Sequence, residues 1–157
     1  MSVKVGDKAP EFKALDSSLK EKKLSDYKGH KTVLAFFPGA FTSVCTKEMC
    51  TFRDSMAAFN NLDAKVVGIS VDTPFSLAEF AKKNNLSFDL LSDASHEISK
   101  TYGALHENFV NVPGLSASKR SVFLLDRDGT VKYAWVSEDP GKEPDYEAVK
   151  AELSKIK

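Results

Sequence analysis

The stretch FFPGAFTSVCTKEMC, residues 36 to 50, holds both cysteines of the chain. Cys45 and Cys50 lie five positions apart among small, polar or turn-forming residues: Pro38, Gly39, Thr42 and Ser43. A thiol pair at this spacing could be a redox couple, half of a metal site, or two small buried apolar residues with no chemistry at all. Structural zinc takes about four ligands, commonly from cysteine pairs with two to four residues between them. The gap here meets the upper edge of that spacing, but the chain has no second pair, and His30, His96 and His106 are scattered. No metal is expected, because the ligand count falls short.

Cys45, Met49, Phe52, Met56 and Phe59 follow one another at steps of four and three, which predicts a helix over Val44 to Asn60 with Cys45 opening its core-facing stripe. On that periodicity alone, Cys45 is a small core residue. Its place in the helix says more. Thr42 or Ser43 can cap the helix. Cys45 then falls in the first turn, where unpaired amides and the macrodipole favour an anion, and the anionic thiolate is the nucleophilic form of the side chain. Within an intact helix, five residues rise about 7.5 Å and turn about 140°, which sets the two Cα atoms roughly 8.6 Å apart. A disulfide needs about 7 Å or less. The two sulfurs therefore either do not bond or bond only when the first turns unwind.

The elements that must position this helix can be read on either side of it. TVLAFFP (32–38), KVVGISVD (65–72) and RSVFLLD (120–126) are apolar runs of strand length, and TVKYAWVS (130–137) follows the last across Arg-Asp-Gly, a hairpin signal. TPFSLAEFAKKNN (73–85), SHEISKTYG (95–103) and EPDYEAVKAELSKIK (143–157) read as helices, the last amphipathic through Tyr146, Val149, Leu153 and Ile156. EFKALD (11–16) and LKEKKL (19–24) could form a minor hairpin. Strands alternating with helices and closed by a hairpin predict an α/β fold with a central mixed sheet flanked by helices. Sites in such sheets form beyond the carboxyl ends of the strands, and the strand over 32–37 leads straight into the cysteine segment.

Length and composition exclude several classes. A chain of 157 residues with no repeat, linker or low-complexity segment predicts one domain over residues 1–157. Lysine plus arginine balances aspartate plus glutamate at 22 each, so no global charge invites nucleic acid or a membrane surface. No apolar run approaches the roughly 18 residues of a spanning helix, and the opening segment lacks the apolar core of a secretory signal. A cytoplasmic protein is expected, and in a reducing compartment a thiol pair does chemistry or stays inert in the core. Phe36, Phe37, Phe41 and Trp135 read as core or pocket wall, and Arg53 and Lys119 as solvated charges.

PGAFTSVC resembles the peroxiredoxin signature Pro-x-x-x-Thr-x-x-Cys through Pro38, Thr42 and Cys45, and Glu48 matches the glutamate three residues on. SKRSVFLLDRDGTV is similar to the family's arginine-bearing strand and hairpin, and VGDKAPEF to its N-terminal segment. The five-residue step from Cys45 to Cys50 resembles the peroxiredoxin Q, or bacterioferritin comigratory protein, subfamily. The resemblance implies a thioredoxin-like fold and a thiol-dependent peroxidase for hydrogen peroxide and organic hydroperoxides, without metal, haem or flavin. It casts Cys45 as the peroxidatic thiolate, Thr42 as a hydrogen-bond partner of the peroxide, Arg120 as the stabiliser of the thiolate, and Pro38 as its shield. Glu48 would bridge to an arginine, or else be a surface carboxylate suited to the helix dipole. Cys50 would resolve the Cys45 sulfenic acid as an internal disulfide, which a thioredoxin-like dithiol protein reduces. No later cysteine exists for an intersubunit bridge, and a monomer or small homodimer is implied. The alternatives are a one-cysteine peroxiredoxin resolved by an external thiol, and a peroxide-sensing relay. A thioredoxin-type oxidoreductase lacks its Cys-x-x-Cys here.

Overall fold

The residues of the apolar runs pair into a seven-stranded sheet in a computed structural model that describes residues 3–157. The strands are β1 (Lys13–Asp16), β2 (Glu21–Lys23), β3 (Lys31–Phe36), β4 (Ala64–Ser70), β5 (Asp89–Ser92), the short β6 (Leu105–His106) and β7 (Ala117–Ser118), β8 (Ser121–Leu125) and β9 (Val131–Val136). The helices are α1 (Ser43–Asp54), α2 (Met56–Asn61), α3 (Pro74–Asn84), α4 (Glu97–Thr101) and α5 (Tyr146–Ser154). The main sheet runs β2-β1-β5-β4-β3-β8-β9, and β6 and β7 pair separately. β3, β4 and β5 are parallel, while β8 joins β3 antiparallel and β9 joins β8 across the Asp126–Gly129 turn. This is the expected mixed sheet.

Side chains alternate along β3, so the sheet is buried on both faces. Val33, Ala35 and Phe37 enter one core with Cys45, Met49 and Phe52 of α1, Leu77 and Phe80 of α3, and Val149 and Leu153 of α5. Leu34 and Phe36 enter the other with Ile98 of α4 and Tyr102. The cysteine helix rests on the first face. Its approach depends on Gly68 in β4, where an added Cβ would lie 2.7 Å from Leu90 Cδ2 and 3.3 Å from Met49 Sδ.

Two expectations need correction, and two elements lie where none was read. The helix predicted over 44–60 is two helices, broken at Ser55, where ψ is 4° and the amide is shared between the Thr51 and Phe52 carbonyls at 3.1 Å each. The apolar stripe crosses the break because Phe59 rejoins the same core. β5 falls in a stretch to which the sequence assigned no element, between β4 and β1. The β6–β7 pair was also unforeseen. Phe41 is no wall of the core: it is 50% exposed, with its ring edge-on to Phe80 at 5.3 Å.

Candidate active site

Phe37 leaves β3 hydrogen-bonded to Ile69, and buried Pro38 ends the strand beyond it. The loop then turns through Phe41, whose φ of 66° is a left-handed conformation that a bulky residue adopts only under constraint. One constraint is visible. The Ala40 amide donates to Asp72 Oδ2 at 2.8 Å, and Ser70 Oγ donates to the same oxygen at 2.6 Å. The carboxyl end of β4 thereby holds the loop that opens α1.

Thr42 occupies the N-cap position with extended dihedrals, but its hydroxyl does not cap the helix. It donates instead to the Gly39 carbonyl at 2.8 Å. Cys45 is the third residue of α1, inside the first turn, and is 1% exposed. Its backbone amide is among those that a helix start leaves without an internal partner.

Arg120, at the entry to β8, reaches this turn across 75 positions of sequence and donates from Nη2 to Cys45 Sγ at 3.1 Å. The guanidinium is 1% exposed, and three other contacts fix it. Nη1 donates to Glu48 Oε1 at 2.8 Å, and Nη2 and Nε donate to the Pro140 carbonyl at 2.7 and 3.2 Å. Burial works against its charge, but the Glu48 carboxylate and the Cys45 sulfur outweigh burial and hold its pKa above the ordinary arginine value. An arginine so fixed is a permanent cation aimed at one sulfur.

Glu48 is fully buried, so the surface alternative is excluded. Burial, its largest influence, pushes the carboxyl up to about 7, against the pull of Arg120 and with a further push from Glu143. Only Oε1 is hydrogen-bonded; Oε2 has no partner among the described residues. Glu143 is itself held by Lys47 at 3.2 Å and by the Tyr146 hydroxyl at 2.6 Å, which ties the start of α5 to the outer face of α1. Cys50 lies one and a half turns beyond Cys45, partly buried, and both thiols are free. Its Sγ donates to Asn84 Oδ1 at 3.6 Å, at the end of α3.

The structure thus ties Cys45 and Glu48 together through Arg120 and sets Thr42 at the N-cap of the same turn, while Pro38 is buried just beyond β3. Cys50 faces another way. Several participants carried no sequence signal. Pro140 acts through a backbone carbonyl, which every residue type has. Asp72 could have been suspected only from its place at the carboxyl end of a parallel strand. Lys119, expected in solvent, is partly buried and pairs with Glu138 at 2.8 Å. Arg53, expected in solvent, instead donates to the Asn84 carbonyl at 2.6 Å.

A buried thiol beneath a fixed guanidinium, in the first turn of a helix beyond a parallel strand, defines a thiol-based redox enzyme on a thioredoxin-like sheet. The chain belongs to the AhpC/TSA family, whose profile matches residues 5–134. Peroxiredoxin Bcp of Bacillus subtilis (strain 168) is 37% identical over 137 residues, 86% of each chain. The crystal structure of peroxidoxin BcpB from Mycobacterium tuberculosis superposes with a TM-score of 0.88 at 31% identity, covering 99% of each chain. The PrxQ of Xylella fastidiosa superposes at 0.87 with 26% identity, covering 99% of this chain and 98% of that one. The expected grouping with the Bcp and Q peroxiredoxins holds, and with it the activity of a thiol peroxidase. No helix among the described residues is long and apolar enough to cross a membrane.

Proposed function

We propose that Cys45 is the peroxidatic nucleophile of a hydroperoxide reductase and that Cys50 resolves it. The Cys45 thiolate attacks one peroxide oxygen in line with the O–O bond. The S–O bond forms as the O–O bond breaks, and the departing hydroxide or alkoxide takes a proton to leave as water or alcohol. Cys45 becomes a sulfenic acid. Arg120 stabilises the thiolate and then the charge growing on the leaving oxygen. Glu48 and the Pro140 carbonyl hold that guanidinium in aim. Thr42, whose hydroxyl donates to the Gly39 carbonyl in the resting site, orients the peroxide. Pro38 excludes water. The single observation that carries this reading is the 3.1 Å contact from Arg120 Nη2 to a buried first-turn sulfur.

Cys50 then attacks the Cys45 sulfur, the S–S bond forms, and the hydroxyl leaves as water. Both cysteines lie on α1, so their Cα atoms in the intact helix stay about 8.6 Å apart, beyond the roughly 7 Å of a disulfide. The first turns must unwind for this step. A thioredoxin-like dithiol protein returns the disulfide to two thiols. The chain works as one domain over residues 1–157, as a monomer or small homodimer of the cytoplasm, where two cysteines are too few for a disulfide scaffold and suit redox chemistry.

The test is the mass of the protein after one equivalent of peroxide. The wild type should lose two hydrogens, and Cys50→Ser should gain one oxygen on Cys45. A wild type that keeps Cys50 free with an oxidised Cys45 would establish the one-cysteine mechanism instead. A reaction no faster than that of free cysteine, in stopped flow, would remove Cys45 from the role altogether.

A further inference from the structure

Cys50 sits in a made setting rather than a gap in the core. Its thiol donates to Asn84 Oδ1, and Asn84 Nδ2 donates in turn to the Phe80 carbonyl at 3.0 Å, which fixes the amide so that its oxygen faces the sulfur. Asn84 is the last residue of α3, and Asn85 follows with φ 53°, the left-handed turn that closes the helix. This is the negative end of a helix dipole, where unpaired carbonyls disfavour an anion. A resolving cysteine has to attack as an anion. The environment on α3 therefore opposes the chemistry proposed for Cys50.

Arg53 answers that opposition. It lies three residues after Cys50, on the same face of α1, and Nη1 donates to the carbonyl of Asn84 at 2.6 Å. It covers an open carbonyl and places a positive charge beside the thiol. Its hydrogen bond to Asp54 at 2.9 Å, and to a lesser degree the charge of a Cys50 thiolate, raise its pKa above the ordinary arginine value, so the cation persists. Arg53 shares its charge with Asp54, and the other cations of the two helices are paired or exposed. Lys47 pairs with Glu143, and Lys82 and Lys83 in the last turn of α3 are exposed.

We propose that Arg53, set by Asn84, is a positioning residue of the resolving step: it holds the Cys50 thiol at the end of α3 and favours its thiolate. The proposal rests on the reading that Cys50 resolves Cys45, and its test separates the two. Reduced wild type, Arg53→Gln and Arg53→Lys are mixed with one equivalent of hydrogen peroxide from pH 6 to 10. Samples are acid-quenched at intervals and weighed, so that the rise of the sulfenic acid and its conversion to the disulfide are timed separately.

A displacement of the conversion profile by about one pH unit in Arg53→Gln leaves roughly a tenth as much thiolate below the midpoint, while the more basic sulfur attacks about threefold faster. The variant should thus form the disulfide about threefold more slowly near pH 7 and about threefold faster at high pH. The two profiles cross, and Arg53→Lys, which keeps the charge, should restore most of the wild-type profile. A merely structural role would scale the rate without moving the profile. Parallel profiles, or a Lys variant no better than Gln, would overturn the role of Arg53. A wild type that never forms the disulfide would instead overturn the reading beneath it.

Discussion

Replacing Glu48 by Gln removes the one buried acid of the site and leaves its shape and its Oε1 acceptor in place. The expected effect is on the pH dependence of stability. In the folded protein the carboxyl titrates near 7, against 4.5 when unperturbed. Between those values the folded state keeps a proton that the unfolded chain has released. Stability from this group is therefore full below pH 4.5, falls as pH rises through the window, and is flat above about 7. A difference of two and a half pH units at about 1.36 kcal/mol each amounts to about 3 kcal/mol. The Gln variant has no such titration. Urea unfolding of both proteins, each in a Cys45→Ser background so that no thiolate titrates nearby, should show the stability of wild type relative to Glu48→Gln shrinking by about 3 kcal/mol between pH 4.5 and pH 8. A difference that stays constant over that range would refute the reasoning, since it would mean that Arg120 cancels the cost of burial in full. The outcome also bears on why the pair exists. A buried ion pair that lowers stability at neutral pH is retained for what it does to geometry, and here it aims the Arg120 guanidinium at a sulfur.

Arg120→Ala should slow the oxidation of Cys45 by peroxide about 10²–10³-fold in stopped flow, the usual loss when one fixed donor to a developing oxyanion is removed. It should also destabilise the fold by about 1–3 kcal/mol, because Glu48 Oε1 and the Pro140 carbonyl lose their donor; a wild-type oxidation rate would contradict its assignment. Gly68→Ala should lower stability by about 1–3 kcal/mol through overpacking against Leu90 and Met49. An unchanged urea midpoint would show that the Leu90 and Met49 side chains give way freely.

Legibility in the sequence followed how local each feature is. The stripe from Cys45 to Phe59 was readable because helical periodicity is written in consecutive residues. The break at Ser55 was not, since Met56 and Phe59 continue the same pattern on the far side. Asp89–Ser92 is a strand only because β4 and β1 lie beside it; four residues carry too little pattern of their own. Pro74 and Asn85 bound α3 as expected, one by its fixed φ and the other by its tolerance of the left-handed region. The partnership of Cys45 with Arg120 was reached through resemblance, because no spacing rule links residues 75 positions apart. Glu48 in the second turn was visible, but its burial depends on what packs over α1. Thr42 was expected to cap the helix or meet the peroxide; its resting bond to the Gly39 carbonyl depends on the loop that Asp72 and Ser70 hold.

The Pro140 carbonyl that grips Arg120 has a bearing on how the molecule is born. During synthesis the residue 45 sulfur reaches the cell long before residue 120 is made, and residue 140 comes later still. Until the closing turn folds back, the sulfur lacks the guanidinium that Pro140 holds against it. On the role proposed for Cys45, its reactivity arrives only with the finished fold.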